Sequence, residues 1–205
     1  FELFCQPLVN ARTRECVGVE ILLRWNNPRQ GWISPDVFIP LAEEHNLIVP
    51  LTRYVISETV RQIGYFPASR DFHIGINVAA SHFRRATLIR DLNRIWFNAN
   101  PVQQLIVELT ERDALLDVDY RIVRELHRKG VKLAIDDFGT GNSSLSWLEK
   151  LHPDVLKIDN SFTTAIGTDA VNSTVTDIII ALGQRLNIEL VAEGVETEEQ
   201  SRYLR

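Results

Sequence analysis

The stretch that decides the fold is Phe1 to Arg24, FELFCQPLVNARTRECVGVEILLR. It contains two apolar runs, Phe1 to Val9 and Val17 to Arg24, separated only by Asn10 to Glu15. Six residues suffice for a hairpin but not for the crossover that parallel neighbours need, so these strands are expected to pair antiparallel. If Val9 pairs with Cys16, Cys5 falls opposite Glu20, and at ~3.3 Å per residue the two thiols start over ~10 Å apart. That spacing excludes a disulfide and predicts two reduced cysteines, as in a cytoplasmic domain.

Further on the pattern changes. Short apolar runs recur at His73 to Val78, Leu105 to Leu109, Lys132 to Ile135, Val155 to Ile158 and Ile188 to Val191, giving seven candidate strands in all. Amphipathic stretches intervene, among them Ser34 to His45, Leu51 to Ile63, Arg112 to Lys129 and Asp169 to Leu186. Such alternation implies parallel strands with helical crossovers, hence an α/β fold. Ser34 before Pro35 suits a helix start, and Lys129 before Gly130 a helix end. Together with the leading hairpin this describes a modified TIM-like (β/α) barrel whose first strand runs antiparallel.

A chain of 205 residues, 45% hydrophobic and 24% charged, has enough apolar material for one globular domain. No low-complexity segment or repeat divides it. A formal net charge of −5 argues against wrapping duplex nucleic acid, while leaving room for a local phosphate pocket. No apolar run approaches the ~20 residues that span a bilayer, and none resembles a signal segment. The expectation is therefore a soluble domain without membrane contact of its own. With no methionine, and with ends that fall inside a strand and a helix, residues 1–205 read as one domain cut from a longer protein.

The chemistry shows as broken periodicity. A strand buried on both faces should be apolar throughout, yet these runs turn polar towards their C-terminal ends. In Val17 to Arg24 one face carries Val17, Val19, Ile21 and Leu23, and the other carries Glu20 and Arg24. Later exceptions are Asn77, Glu108, Asp136 with Asp137, Lys157, and Glu193. Any one of these reads most simply as a capping or internally satisfied group. Six strands that each end in a polar or charged group do not, because parallel strand ends meet at one mouth of a barrel. Glu20, Glu108, Asp136, Asp137 and Glu193 would then crowd five carboxylates around Lys157, a repulsion that hard divalent cations resolve. Oxygen donors without cysteine or histidine suit magnesium or manganese, with two ions bridged by the adjacent aspartates. Such a pair polarises phosphoryl oxygens and activates water, which makes phosphodiester hydrolysis the leading reaction class.

With those residues in place, the sequence resembles the EAL family of cyclic di-GMP phosphodiesterases of bacterial signalling, from Phe4 to Gln200. The ExLxR signature is similar to Glu20-Ile21-Leu22-Leu23-Arg24, with isoleucine at the name-giving alanine. Asn77 to Ser81, Glu108 to Glu111, Asp136 to Leu145, Lys157 to Asp159 and Glu193 to Glu196 resemble the family's later motifs, with Asn142 at a commonly tyrosine position. The resemblance implies metal-dependent hydrolysis of cyclic di-GMP to linear pGpG. It implies that Glu20, Asn77, Glu108 and Asp136 bind one Mg2+ or Mn2+ ion, and Asp136 and Asp137 a second. Lys157 would activate the attacking water, Glu193 would be a further acid, and Gln6 and Arg24 would contact substrate, although a satisfied strand amide reads equally well for Gln6. Glu111 would anchor the Asp136 to Ser144 loop, the region implied in a homodimer.

The family also has a later strand with a glutamine, so the barrel is expected to be short of its last strand and helix. The resemblance further implies a cytoplasmic domain, and whether the parent protein is anchored in the inner membrane stays open. Three other readings remain at this point: a receptor that binds cyclic di-GMP without cleaving it, another magnesium-dependent barrel enzyme sharing only the fold, and a scaffold with solvated surface charge.

Overall fold

The computed structural model describes residues 1–84, 87–115, 118–141, 145–168 and 171–205. One curled sheet runs in the order β1-β2-β4-β5-β6-β7-β8, with β3 attached to β2. Its strands are β1 (Glu2–Val9), β2 (Cys16–Asn27), β3 (Gly31–Ile33), β4 (His73–Asn77), β5 (Gln104–Thr110), β6 (Lys132–Phe138), β7 (Val155–Ile158) and β8 (Glu189–Ala192). The β1–β2 pair is antiparallel and every pair from β2–β4 to β7–β8 is parallel, as the short first connection requires.

Two strand expectations are corrected. β3 was not anticipated, because three residues carry no periodicity; it is defined by a turn in which the Asn27 side chain accepts from the backbone of Arg29 and Gln30. Cys5 faces Ile21, not Glu20, because the ladder shifts by one residue between Leu8 and Val9 although Val9 does pair with Cys16. Both cysteines are free and exposed.

The helices follow local rules. In α1 (Pro35–Glu44) the Ser34 side chain accepts from the Asp36 backbone and Pro35 occupies the first turn. α2 (Ile48–Gln62) begins earlier than expected, since Pro50 is tolerated in a first turn whose N–H groups have no helical partner. The helix expected over Arg112 to Lys129 is two, α5 (Glu111–Leu115) and α6 (Tyr120–Arg128), because Asp119 caps a new start. α6 ends at Arg128 with Lys129 as its C-cap and Gly130 following at φ +75°, as expected. Of the stretch Asp169 to Leu186, α9 (Val171–Leu186) is seen, and Asp169 lies outside the described residues. Also seen among the described residues are the short helices α3 (Ala80–Arg84), α4 (Thr87–Leu92), α7 (Leu148–Leu151) and α8 (Asn160–Thr163), the closing α10 (Glu198–Tyr203), and tighter or wider helical turns at Ile63–Tyr65, Asn93–Phe97 and Leu145–Trp147. Among the described residues no helix is long and apolar enough to cross a membrane.

Alternation then sorts the parallel strands. Ile74, Ile76, Leu105, Val107, Leu109, Leu133, Ile135, Leu156 and Ile158 face the helices in the main core. Inside the curl, Ile106, Ala134 and Val155 form a separate apolar layer with Val191 against it. The polar strand ends rest on that floor.

Candidate active site

The structure brings six strand ends together. Lys157 on β7 is 3% exposed, and its Nζ lies 2.9 Å from Glu20 Oε2, 2.7 Å from Glu108 Oε2, 3.0 Å from Asp136 Oδ1 and 2.8 Å from Glu193 Oε1. Asn77 donates Nδ2 to the other Glu20 oxygen at 2.7 Å, which leaves its amide oxygen available as a ligand. Glu20 and Glu108 are buried, and Asp136 and Glu193 are half-buried at the opening. Gln6 pairs directly with Glu20 across the β1–β2 ladder and so shares its face. Arg24 makes its hydrogen bond to the Leu23 carbonyl at 3.0 Å and not to one of the carboxylates around Lys157.

Asp136 and Asp137 are neighbours that regular alternation would send to opposite faces. The β6–β7 ladder shifts between Ile135 and Phe138, and Asp137 takes φ +54°. This bulge re-aims the second aspartate towards the mouth, and aspartate bears the left-handed conformation better than most residues. Two overlapping acidic triads result, Glu20 with Glu108 and Asp136, and Asp136 with Asp137 and Glu193, each offering ligand oxygens within 4.8 Å of one another. Asp136 belongs to both. An all-oxygen set with this excess of negative charge fits hard divalent cations.

Electrostatics agree. Burial is the largest influence on Glu108, and with Glu20 and Asp136 nearby it outweighs Lys157, so the carboxyl is pushed up to about 8. Burial also raises Glu193, against Lys157 and helped by Asp136, and it raises Asp137 together with Asp136 and Asp159. Burial disfavours the Lys157 charge, yet Glu108, Asp136, Glu20 and Glu193 hold its proton well above the ordinary lysine range. One ammonium is too little for this many acids.

Sequence reasoning missed Gly75. A Cβ built there would lie 1.9 Å from Glu108 Oε1, so the carboxylate occupies the space that the missing side chain leaves. A glycine inside a strand pattern that allows a close approach was the available signal. Gly75→Ala is expected to displace Glu108 and weaken divalent-ion binding on the order of 10- to 100-fold, read by titration calorimetry with manganese.

Glu111 stands apart from the ring. It is buried at the start of α5, and its Oε2 accepts from Gly139 N at 2.8 Å and Gly141 N at 3.4 Å. Those amides belong to the DDFGTGNSS segment, of which Asn142 to Ser144 lie outside the described residues. Asp159, at the end of the Lys157 to Asp159 motif, accepts from Ser161 N as the cap of α8, a structural task. A groove lined by Ile39, Pro40, Ile48, Thr110, Arg112 and Asp137 leads from α1 to the mouth.

The comparisons with known proteins agree with this geometry. The family model described as "EAL domain" matches residues 1–205. The chain is 81% identical over 205 residues to "Probable cyclic di-GMP phosphodiesterase PdeD" of Escherichia coli (strain K12), spanning 100% of this chain and 38% of that protein. It is 37% identical over 208 residues to "Cyclic di-GMP phosphodiesterase PdeL" of the same strain, spanning 98% of this chain and 57% of that one. It therefore covers less than two thirds of either curated relative. The solved structure "PaMucR Phosphodiesterase, c-di-GMP complex" superposes with a TM-score of 0.89 at 38% identity, covering 99% of this chain and 84% of that one. With its ring of strand-end carboxylates around Lys157 and a family match along its whole length, the chain belongs to the EAL domain family.

Proposed function

We propose that the chain hydrolyses cyclic di-GMP to linear pGpG, using two Mg2+ or Mn2+ ions. The observation that carries this reading is the pair of acidic triads sharing Asp136, with Lys157 bonded to four of their carboxylates. The relatives named for cyclic di-GMP phosphodiesterase activity supply the substrate.

Glu20, Asn77, Glu108 and Asp136 would hold one ion, and Asp136 and Asp137 the other with Glu193 in reach. When bound, the ions neutralise the acidic ring and polarise the phosphoryl oxygens. The remaining tasks fall to side chains. Lys157 is fixed by its carboxylate partners and orients the attacking water towards phosphorus. Arg24 offers a planar donor fork to a phosphate oxygen, and Gln6 offers an amide on the same wall. Water oxygen bonds to phosphorus as the bond to the 3′ oxygen breaks, and that oxygen takes up a proton. Glu193, whose oxygen lies 2.8 Å from the Lys157 ammonium at the opening, would exchange protons there.

Glu111 positions the loop that carries Asp137. Glu111→Ala strands the Gly139 and Gly141 amides, and hydrolysis is expected to fall on the order of tenfold or more while the Glu20–Glu108–Asp136 triad still binds manganese calorimetrically. The proposal itself is tested by incubating the intact protein with cyclic di-GMP and magnesium and resolving products by chromatography. pGpG that disappears with a chelator is expected. Binding without any product would leave a receptor instead of an enzyme.

A further inference from the structure

We propose that Phe4 and Trp32 form a stacking platform for one purine base of the substrate at the rim of the mouth, an inference that rests on the cyclic dinucleotide reading above. The ladder places it. Phe4 pairs with Leu22, between the pairs Gln6 with Glu20 and Glu2 with Arg24, so its ring stands on the face that carries Glu20 and Arg24. Trp32 pairs with Asn26, two residues beyond Arg24 on that same face.

The two rings meet edge to face at 5.8 Å and 87°, yet Trp32 is 56% exposed and Phe4 48% exposed. On the opposite face of the same strands, Phe1 and Trp25 pack against the buried Phe38, so the protein has an aromatic cluster for stability and keeps this pair out of it. Large exposed aromatics gathered beside a polar site point to a ligand surface, not to packing. A flat π face suits a nucleobase, and such stacking accepts any base. The span fits as well: Phe4 pairs with Leu22, two residues from Arg24 and so ~7 Å along the strand, which is the reach from a phosphate to its own base. Arg24 would hold the phosphate while the rings hold the base. The β3 hairpin, which no periodicity announced, is the element that delivers Trp32.

The test is steady-state hydrolysis of cyclic di-GMP by the intact protein carrying Trp32→Ala, Phe4→Ala or Trp32→Phe. A base contact kept from the ground state to the transition state raises KM and spares kcat. The expected result is a KM raised on the order of tenfold by either alanine with kcat within about twofold. Trp32→Phe should recover most of that loss, and manganese affinity and melting temperature should stay at wild-type values. KM unchanged in both alanine variants, while the wild type makes pGpG, overturns the platform and leaves the proposed function standing. A loss confined to kcat, one accompanied by a lower melting temperature, or one explained by a change in oligomeric state also overturns it. No product from the wild type overturns both readings.

Discussion

Replacing Lys157 by methionine is expected to abolish hydrolysis and to cost the metal-free protein about 3–5 kcal/mol at neutral pH, the usual penalty for leaving buried charges without their partner. Methionine keeps most of the volume, so the effect is electrostatic. In the native chain one ammonium touches Glu20, Glu108, Asp136 and Glu193, and without it these carboxylates face one another across the floor of the curl. The pH dependence gives the sign. Glu108 holds its proton from an ordinary 4.5 up to about 8 in the folded chain, so folding binds protons in that window. Stability from this source is whole below about 4.5 and is lost as the pH rises through about 8. The raised Glu193 and Asp137 act in the same direction. Metal-free protein should therefore melt higher at pH 5 than at pH 8, and Lys157→Met should steepen that trend and recover stability in acid. Equal melting temperatures for variant and wild type across this range would show that Lys157 does not neutralise the site.

Glu20→Ala should separate activity from folding in the opposite sense. Hydrolysis is expected to fall on the order of a thousandfold, the upper range for losing one electrostatic group in a reacting centre. Metal-free stability at pH 7.5 should hold or rise, because the change removes one like charge from a ring that has too many, and Lys157 keeps three partners. The variant leaves Asn77 Nδ2 without its acceptor, a modest cost at a half-open mouth. Product formation and thermal melts on the same preparation decide it. Activity within tenfold of wild type would remove Glu20 from the site, and a fall in both quantities would make it a scaffold residue.

Most of this site was legible because chemistry disturbs periodicity. Glu20, Asn77, Glu108, Asp136, Lys157 and Glu193 stood out as polar groups where strand alternation called for apolar ones, and the fold gathers them. Asp137 could be named but not aimed, since its direction depends on a bulge made only when β6 pairs with β7. Cys5 was placed one residue off for the same kind of reason, a register shift beside the hairpin turn. Gly75 went unnoticed because its contribution is empty space, which has meaning only once Glu108 fills it. Trp25 and Trp32 could each flank the pocket by sequence, but packing is the commoner task of a tryptophan, and a three-residue strand is too short to show which face Trp32 takes.

What the sequence determined by itself was therefore local: the antiparallel start forced by a six-residue connection, the parallel α/β order, the helix caps, and the identity of the polar residues at the strand ends. Tertiary structure alone decided that Lys157 sits among four of the acids, how deeply Glu108 is buried, and that the Phe4 and Trp32 rings meet. The physical reason is distance along the chain. Lys157 is 137 residues from Glu20 and 49 from Glu108, yet it bonds both in one buried ring. The balance of desolvation and charge that sets their proton affinities exists only when the curled sheet has brought both acids within 3 Å of the Lys157 ammonium.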